Sequence, residues 1–357
     1  MKKTKQSIIK DYILDQLKSG ELKKGDRILS ENKLAEFFSV SRQTVRKAIY
    51  DLEKEGYLVT RRGSGTYVKS MRKDKENIGI LTQSLTDYIF PFIVMGAEEA
   101  LKNTKCKSFI GNAKNDPVVE RETLERWIDF GLKGMIVDPV VSATKQANVT
   151  LLKEISEQIP TVIINSDLNI PYAGTLVLND YECGSFAAKK FIELGHKRVA
   201  VIYKAVHKAA NERANGFIDT IKEHKQMMLY ELPFHGQETS DEVFNLIMSL
   251  LSLPKNNLPT AIFCSNDLVA MQVIMAAKKL NLDIPNDISL IGFDDADFAQ
   301  ALEISTFRHP KQQFGEKAAQ MLLKMIEENN NGKPEKIVEK AEFIERNSLI
   351  QKSGEKR

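Results

Sequence analysis

The stretch "SVSRQTVRKAIYDLEKEGYL", residues 39–58, carries two stripes. Val45, Ala48, Ile49 and Leu52 recur at i, i+3, i+4 and i+7, the spacing of one buried helical face. Ser41 stands where an N-cap hydroxyl can accept an orphan backbone N–H. Gln43 and Lys47 point away from the apolar stripe, and Arg42 and Arg46 flank it. Taken alone, this second stripe is the solvated face of any amphipathic helix. The surrounding sequence decides what it is for.

Upstream, Ile8, Ile9, Tyr12, Ile13 and Leu17 form a helical stripe that Gly20 closes. "SENKLAEFF" begins at an N-cap, Ser30, and is expected to bury Leu34, Phe37 and Phe38. Only "SVS" separates this helix from the next, so the two form a helix-turn-helix whose second helix enters the DNA major groove. Gly56 ends that helix, and "YLVT" and "TYVK" follow as strands around the glycine-containing hairpin "RRGSG". Arg61 and Arg62 at the hairpin tip suit a phosphate backbone or a minor groove. The second stripe is therefore a recognition face. Arg42 can donate two hydrogen bonds to guanine, and Gln43 can pair with adenine. "GSG" is not a nucleotide loop, because no lysine and no helix follow it.

The stretch "SENKLAEFFSVSRQTVRKAIYDLEKEGYLVTRRGSGTYV" resembles the winged helix-turn-helix of the GntR family of bacterial regulators, over residues 4–69. The resemblance implies that Ser30 and Glu31 open the motif. It places Arg42, Gln43, Thr44 and Arg46 on the DNA-reading helix, with Lys47 beside them. Arg62, Gly63, Ser64 and Gly65 would form the wing.

Charge agrees with this division. Residues 1–70 hold 16 Lys and Arg against 9 Asp and Glu, a net +7, whereas the remainder holds 35 against 39, a net −4. A basic head on a mildly acidic body points to a polyanion partner for the head alone. Cys106, Cys183 and Cys264 are scattered, with neither disulfide nor zinc spacing, which fits a reducing compartment. Lys10, Asp11 and Asp15 interrupt the apolar residues of the N-terminal segment, and no run approaches a membrane span, so a cytoplasmic protein is expected.

"KSMRKDKEN", residues 69–77, is a charged connection, and the domain division is read as 1–70, a linker at 71–76, and 77–357. Beyond it, "NIGILTQ", "SFIGNA", "GMIVDP", "TVIINS", "TLVLND", "RVAVIY", "AIFCSND" and "SLIGFDD" read as strands alternating with helices. Such alternation predicts α/β architecture with parallel sheets, here in two lobes with a ligand cleft at the strands' carboxyl ends. Asp138, Asn165, Lys204, Asn266 with Asp267, and Asp294 with Asp295 lie at those ends. Each could be an ordinary turn or cap residue; as a set they suit the hydroxyls of a sugar.

"VLNDYECGSFAAKKFIELGHKRVAVI", "ERANGF", "IPNDISLIGFDD" and "ERNSL" resemble the effector domain of the LacI/GalR repressors, whose fold is that of periplasmic sugar-binding proteins. The resemblance implies effector contacts at Arg213, Asn266, Asp294 and His309, and an aromatic wall from Tyr88 and Phe90 of "TDYIFPF". The linker does not resemble that family's hinge helix. A GntR head on a LacI/GalR body is similar to the arabinose-responsive repressors of Gram-positive bacteria, although "AVHKAAN", 205–211, fits that group poorly. The implied function is a homodimeric repressor that holds double-stranded operator DNA and is released by a sugar, L-arabinose or another. No cofactor or metal is expected. An enzyme with a DNA-binding head is the alternative, but no nucleophile elbow, metal cluster or P-loop supports it.

Overall fold

The structure, a computed structural model, describes residues 4–61, 63–69, 76–145, 147–328 and 334–352. The chain divides into two compact units. One runs to Ile78 and includes Glu122–Lys133; the other comprises Gly79–Arg121 and the chain from Gly134 onward.

In the first unit the sequence dictates three helices and a hairpin. Helix α1 (Lys5–Ser19) is capped by the Thr4 hydroxyl and ends at Gly20, whose φ of 79° needs no Cβ. Helix α2 (Glu31–Phe37) starts at Ser30, whose side chain accepts from Lys33 N–H, and α3 (Arg42–Lys54) starts at Ser41, which accepts from Thr44 N–H. The α3 stripe Val45, Ala48, Ile49 and Leu52 is buried against Ile9, Ile13, Leu34 and Leu58. Strands β1 (Leu58–Arg61) and β2 (Gly65–Val68) pair antiparallel. Phe37 departs from expectation. It is 63% exposed, because α2 is only two turns long and its buried face is filled by Leu34. Phe37 instead packs edge-on against Phe38 and tilted against Tyr12. Arg62 and linker residues 71–75 lie outside the described residues.

The body begins with β3 (Asn77–Thr82), α4 (Phe90–Leu101), β4 (Lys107–Asn112), α5 (Pro117–Phe130), β5 (Gly134–Val137), α6 (Val149–Ser156), β6 (Thr161–Ile164) and β7 (Ala173–Leu178). It continues with α7 (Asp180–Glu193), β8 (Arg198–Lys204), α8 (Lys208–Lys222), β9 (Met228–Phe234), α9 (Asp241–Leu251), β10 (Ala261–Cys264), α10 (Asp267–Lys279) and β11 (Ser289–Ile291). Last come α11 (Asp297–Ala301), β12 (Thr306–Arg308), α12 (Lys311–Glu327), β13 (Lys336–Glu339) and β14 (Glu342–Ile344). Two sheets result, ordered β13-β7-β6-β5-β3-β4 and β11-β10-β8-β9, with β12 and β14 as a separate antiparallel pair. The four-stranded sheet is parallel throughout. Strands β9, β12, β13 and β14 were not among the expected ones.

Each sheet carries one helix pair in backbone contact. A Cβ on Gly96 of α4 would lie 1.9 Å from the Gln312 carbonyl of α12, and one on Gly315 would lie 1.9 Å from that of Ile93. Helices α7 and α8 repeat the device: Gly184 meets the Arg213 carbonyl and Gly216 meets that of Tyr181, again at 1.9 Å. Only glycine permits such an approach.

Candidate nucleic-acid interface and effector cavity

On α3, Arg42, Gln43, Arg46 and Lys47 are exposed along one side, and half-buried Thr44 shares a hydrogen bond with the Ser41 hydroxyl at 2.9 Å. The first turn of α3 holds no carboxylate, so its positive helix end is uncompensated and favours an anion. Glu31, first residue of α2, is hydrogen-bonded through both oxygens to Arg46 Nε, at 2.9 and 3.1 Å. The exposed Ser30 serves as the α2 cap. In the hairpin, Gly63 takes φ 76° and Gly65 φ 120°, and Ser64 bonds the Tyr67 hydroxyl at 2.6 Å. A Cβ on Gly65 would sit 2.5 Å from Arg27 Nε. The described part of the wing is thus a tight turn over Arg27, with Arg61 stacked on the Tyr67 ring. Every described residue expected to face DNA lies in this unit.

The second constellation is a cavity at the carboxyl ends of both sheets of the body. Tyr88, Phe90, Lys204, Arg213, Asn266, Asp294 and His309 all line it. Asp138 does not. It is fully buried one residue beyond β5 and accepts from Gln83 Nε2 at 2.8 Å and Asn165 Nδ2 at 3.0 Å, so it orients two side chains that do line the cavity. Burial pushes its carboxyl up to about 7, against the two amides that lower it. Asn266 is both things the sequence allowed: it caps α10 by accepting from Val269 N–H, and it lines the cavity. Asp267 and Asp295 turn elsewhere. Asp267 accepts from Ala296 N–H and the Thr306 hydroxyl, and Asp295 pairs with Arg346 and Arg308.

Tyr88 is more than a wall. Its hydroxyl donates to Asp294 Oδ2 at 2.6 Å, across 206 positions of sequence, and its ring packs edge-on against Phe298. Phe90 is the buried first residue of α4. Arg213, projecting from α8, lies with its guanidinium 3.4 Å over the Phe293 ring. Its Nε donates to Asp180 at 2.7 Å, Nη1 donates to the Ser265 carbonyl at 2.7 Å, and Asp294 Oδ1 stands 3.8 Å from Nη1. Burial opposes the Arg213 charge, but Asp180 and Asp294 outweigh it and raise its pKa. Asp294 is pushed up to about 6 by burial, with Arg213 and the Tyr88 bond pulling the other way. His309 and His207 are held neutral by burial and by the neighbouring cations Arg213, Lys311 and Lys204.

Five buried polar atoms of the lining have no hydrogen-bond partner: Gln83 Oε1, Ser265 Oγ, Asp294 Oδ1 and both nitrogens of His309. Among the described residues, only His196 Nε2 shares that condition elsewhere. A buried polar atom without a partner is costly, so a cluster of them marks a place where a polar ligand supplies partners. The three cations of the lining are already paired, Lys204 with Glu238, Lys208 with Glu212 and Arg213 with Asp180. Donors and acceptors are therefore on offer without an uncompensated positive charge.

Sequence reasoning missed Gln83, Asp87, His207, Glu238 and Ser265 in this lining. Gln83 and Ser265 each follow the last residue of a strand, as Asp138 and Asn165 do, so the same positional signal reaches them. Glu238 follows β9, a strand that was not expected. His207 sits in the stretch that fitted the resembled group poorly.

Two family models match the chain: "Bacterial regulatory proteins, gntR family" over residues 5–68 and "Periplasmic binding protein-like domain" over 188–349. The chain is 35% identical to the arabinose metabolism transcriptional repressor of Geobacillus stearothermophilus, covering 95% of this chain and 96% of that one. It is 26% identical to the repressor of the same name from Halalkalibacterium halodurans, over 99% and 98% of the two chains. A LacI family regulator from Enterococcus faecalis with bound ribose shares the fold of the body, with a TM-score of 0.67 at 21% identity over 78% of this chain and 100% of that one. No helix among the described residues is long and apolar enough to cross a membrane. With one relative matched nearly end to end and both halves matched separately, the chain belongs to the family of transcriptional repressors that join a gntR-type DNA-binding head to a periplasmic-binding-protein-like, LacI-type body.

Proposed function

We propose that this repressor controls genes of sugar utilisation and leaves its operator when a neutral sugar, L-arabinose, enters the cavity of the body. The observation that carries the effector reading is the cluster of unpartnered buried atoms on Gln83, Ser265, Asp294 and His309. Sugar hydroxyls both donate and accept, so one ring can serve a carboxylate, an amide oxygen, a hydroxyl and an imidazole together. The paired state of Lys204, Lys208 and Arg213 favours a neutral sugar over a uronic acid or sugar phosphate, which would need a free cation. The name of the 35%-identical relative supports the choice of arabinose.

In this reading, residues 1–70 form the DNA-binding head, 71–76 the linker and 77–357 the effector and dimerisation domain. Two copies grip a palindromic operator. Arg42, Gln43 and Thr44 read base edges, Arg46 and Lys47 hold phosphates, and the Arg62–Gly65 wing follows the adjacent groove. Asp294, Arg213, Asn266, His309 and Lys204 hold the sugar. The protein acts as a regulator and not as an enzyme. The ligand must favour the conformation that binds operator badly, by about 1–3 kcal/mol for a typical coupling. The deciding experiment is a promoter-fragment titration with and without L-arabinose, with D-xylose and D-galacturonate alongside. Release by L-arabinose alone supports the full reading; release by D-galacturonate alone overturns the neutral-sugar assignment.

A further inference from the structure

We propose that Lys311 is a positioning residue that fixes Asp294 for ligand binding and ties it to α12; this rests on the effector reading of the cavity. Asp294 and Asp295 follow β11 with φ of 107° and 50°. Two successive non-glycine residues at positive φ are rare, and 107° lies beyond the ordinary left-handed well, so the surroundings must impose the turn. The Asp294 N–H donates to the Phe307 carbonyl at 2.8 Å, and the Asp294 carbonyl accepts a long bond from His309 N–H at 3.4 Å. The strong restraint is Lys311. Its ammonium donates to the Asp294 carbonyl at 2.5 Å and to the Asp295 carbonyl at 3.0 Å, closing both peptide groups of the turn on one charge.

The placement of Lys311 is itself informative. It is the first residue of α12, the helix end at which the dipole disfavours a cation. A half-buried lysine there needs compensation, and two carbonyls supply it. Helix α12 packs on α4 and on β5, β6 and β7, which belong to the six-stranded sheet, whereas Asp294 follows β11 of the four-stranded one. Lys311 thus fastens the turn that carries the Asp294 carboxylate in one lobe to a helix of the other. With the turn held, Asp294 Oδ2 receives the Tyr88 hydroxyl and Oδ1 is left without a hydrogen-bond partner, 3.8 Å from Arg213. The charged and titratable groups around that carboxyl include Tyr88 and Asp87 before α4, Arg213 of α8, Asp267 of α10, Lys311, the neutral His309 and, next in the chain, Asp295 with its partners Arg308 and Arg346.

The test uses the full chain with Lys311→Met and Lys311→Arg. Hydrogen exchange on the sugar-free protein reads the turn directly. Segment 289–310 should exchange faster in the Met variant, while α7 and α8 keep their protection, and the Arg variant should recover most of it through its own donors. L-Arabinose calorimetry should show about tenfold or greater weakening for the Met variant and a smaller loss for the Arg variant. The acid limit of binding should also move to higher pH in the Met variant, because one cation that favours ionised Asp294 is gone. Wild-type protection of 289–310 in the Met variant, or loss of protection spread over the whole four-stranded lobe, overturns the proposal. If the wild type ignores L-arabinose while the Met variant deprotects the turn, the arabinose assignment falls and the positioning role stands. If both bind L-arabinose alike, the reverse holds.

Discussion

At the scale of single residues, the two constellations differ in how their chemistry reads sequence and pH. Arg42 is exposed at the start of α3, where a guanidinium can reach a guanine edge, so Arg42→Ala should cost about 1–3 kcal/mol on the operator and relax preference at one base pair per half-site. Lys47→Ala should weaken specific and random DNA alike, as a phosphate contact does. Gel-shift titrations on both kinds of fragment separate the two; equal losses for the Arg42 variant reassign it to phosphate. In the proposed effector site, a sugar's hydroxyls would donate best to an ionised Asp294, whose carboxyl burial pushes up to about 6. Affinity should therefore hold at pH 8 and fall as pH drops, first through about 7, where Asp138 takes up its proton and loosens its hold on Gln83 and Asn165, and then through about 6, with the Asp294 share approaching tenfold per unit below that. His207 and His309 stay neutral across that window because burial holds their pKa values well below the usual imidazole value. Calorimetry from pH 8 to pH 5 checks this, and a flat profile would remove Asp294 as the acceptor. Removing it outright should leave a repressor that binds operator and no longer lets go. Charged hydrogen bonds contribute about 1.5–3 kcal/mol, so Asp294→Ala should weaken sugar binding about tenfold or more, and wild-type release by that variant would sink the site assignment.

At the scale of elements, the helix pairs α4/α12 and α7/α8 are the least forgiving parts of the body. Gly216→Ala would bring a methyl group within 1.9 Å of a backbone carbonyl that no rotamer change can move aside. Overpacking commonly costs about 1–3 kcal/mol, and more where backbone must shift, so a clear fall in the denaturation midpoint is expected. An unchanged midpoint would mean that the pair can slide apart freely. Elements also show what a sequence exposes and what it hides. The head was legible almost residue by residue, since Ser30, Ser41, Gly20 and the Val45–Leu52 stripe are local signals with local causes. Phe37 was misread because hydrophobic identity was taken for burial, while its helix had only one face to bury. Strand β9 was hidden by Pro233 and by alternating exposure, both tolerated because it is the edge strand of its sheet. Its loss from view took Glu238 with it. Strand β13, "KIVE", is likewise a short charged edge, and β12 and β14 are three residues each. The cavity residues at central strand ends were legible by position; the Tyr88–Asp294 bond was not, because nothing local links residues 206 apart.

At the scale of the whole molecule, a basic head and an acidic body divide the labour of binding DNA and sensing sugar. The ion pair between Glu31 and Arg46 bears on how strongly that head clings to DNA in general. It joins an exposed guanidinium to a half-buried carboxylate on the neighbouring helix, so in the proposed DNA-binding role Arg46 would meet the duplex with a counter-charge already in place. Should a phosphate take the Arg46 guanidinium only by displacing that carboxylate, fewer small cations leave the duplex than the count of lysines and arginines suggests. Glu31→Ala should accordingly steepen the fall of log affinity with log salt by about 0.9, the increment for one added phosphate contact, and should tighten binding to random DNA. A slope that stays put would show Arg46 idle on DNA. If it steepens, Glu31 is a built-in brake on genomic stickiness, which leaves more free repressor to search for its own operator.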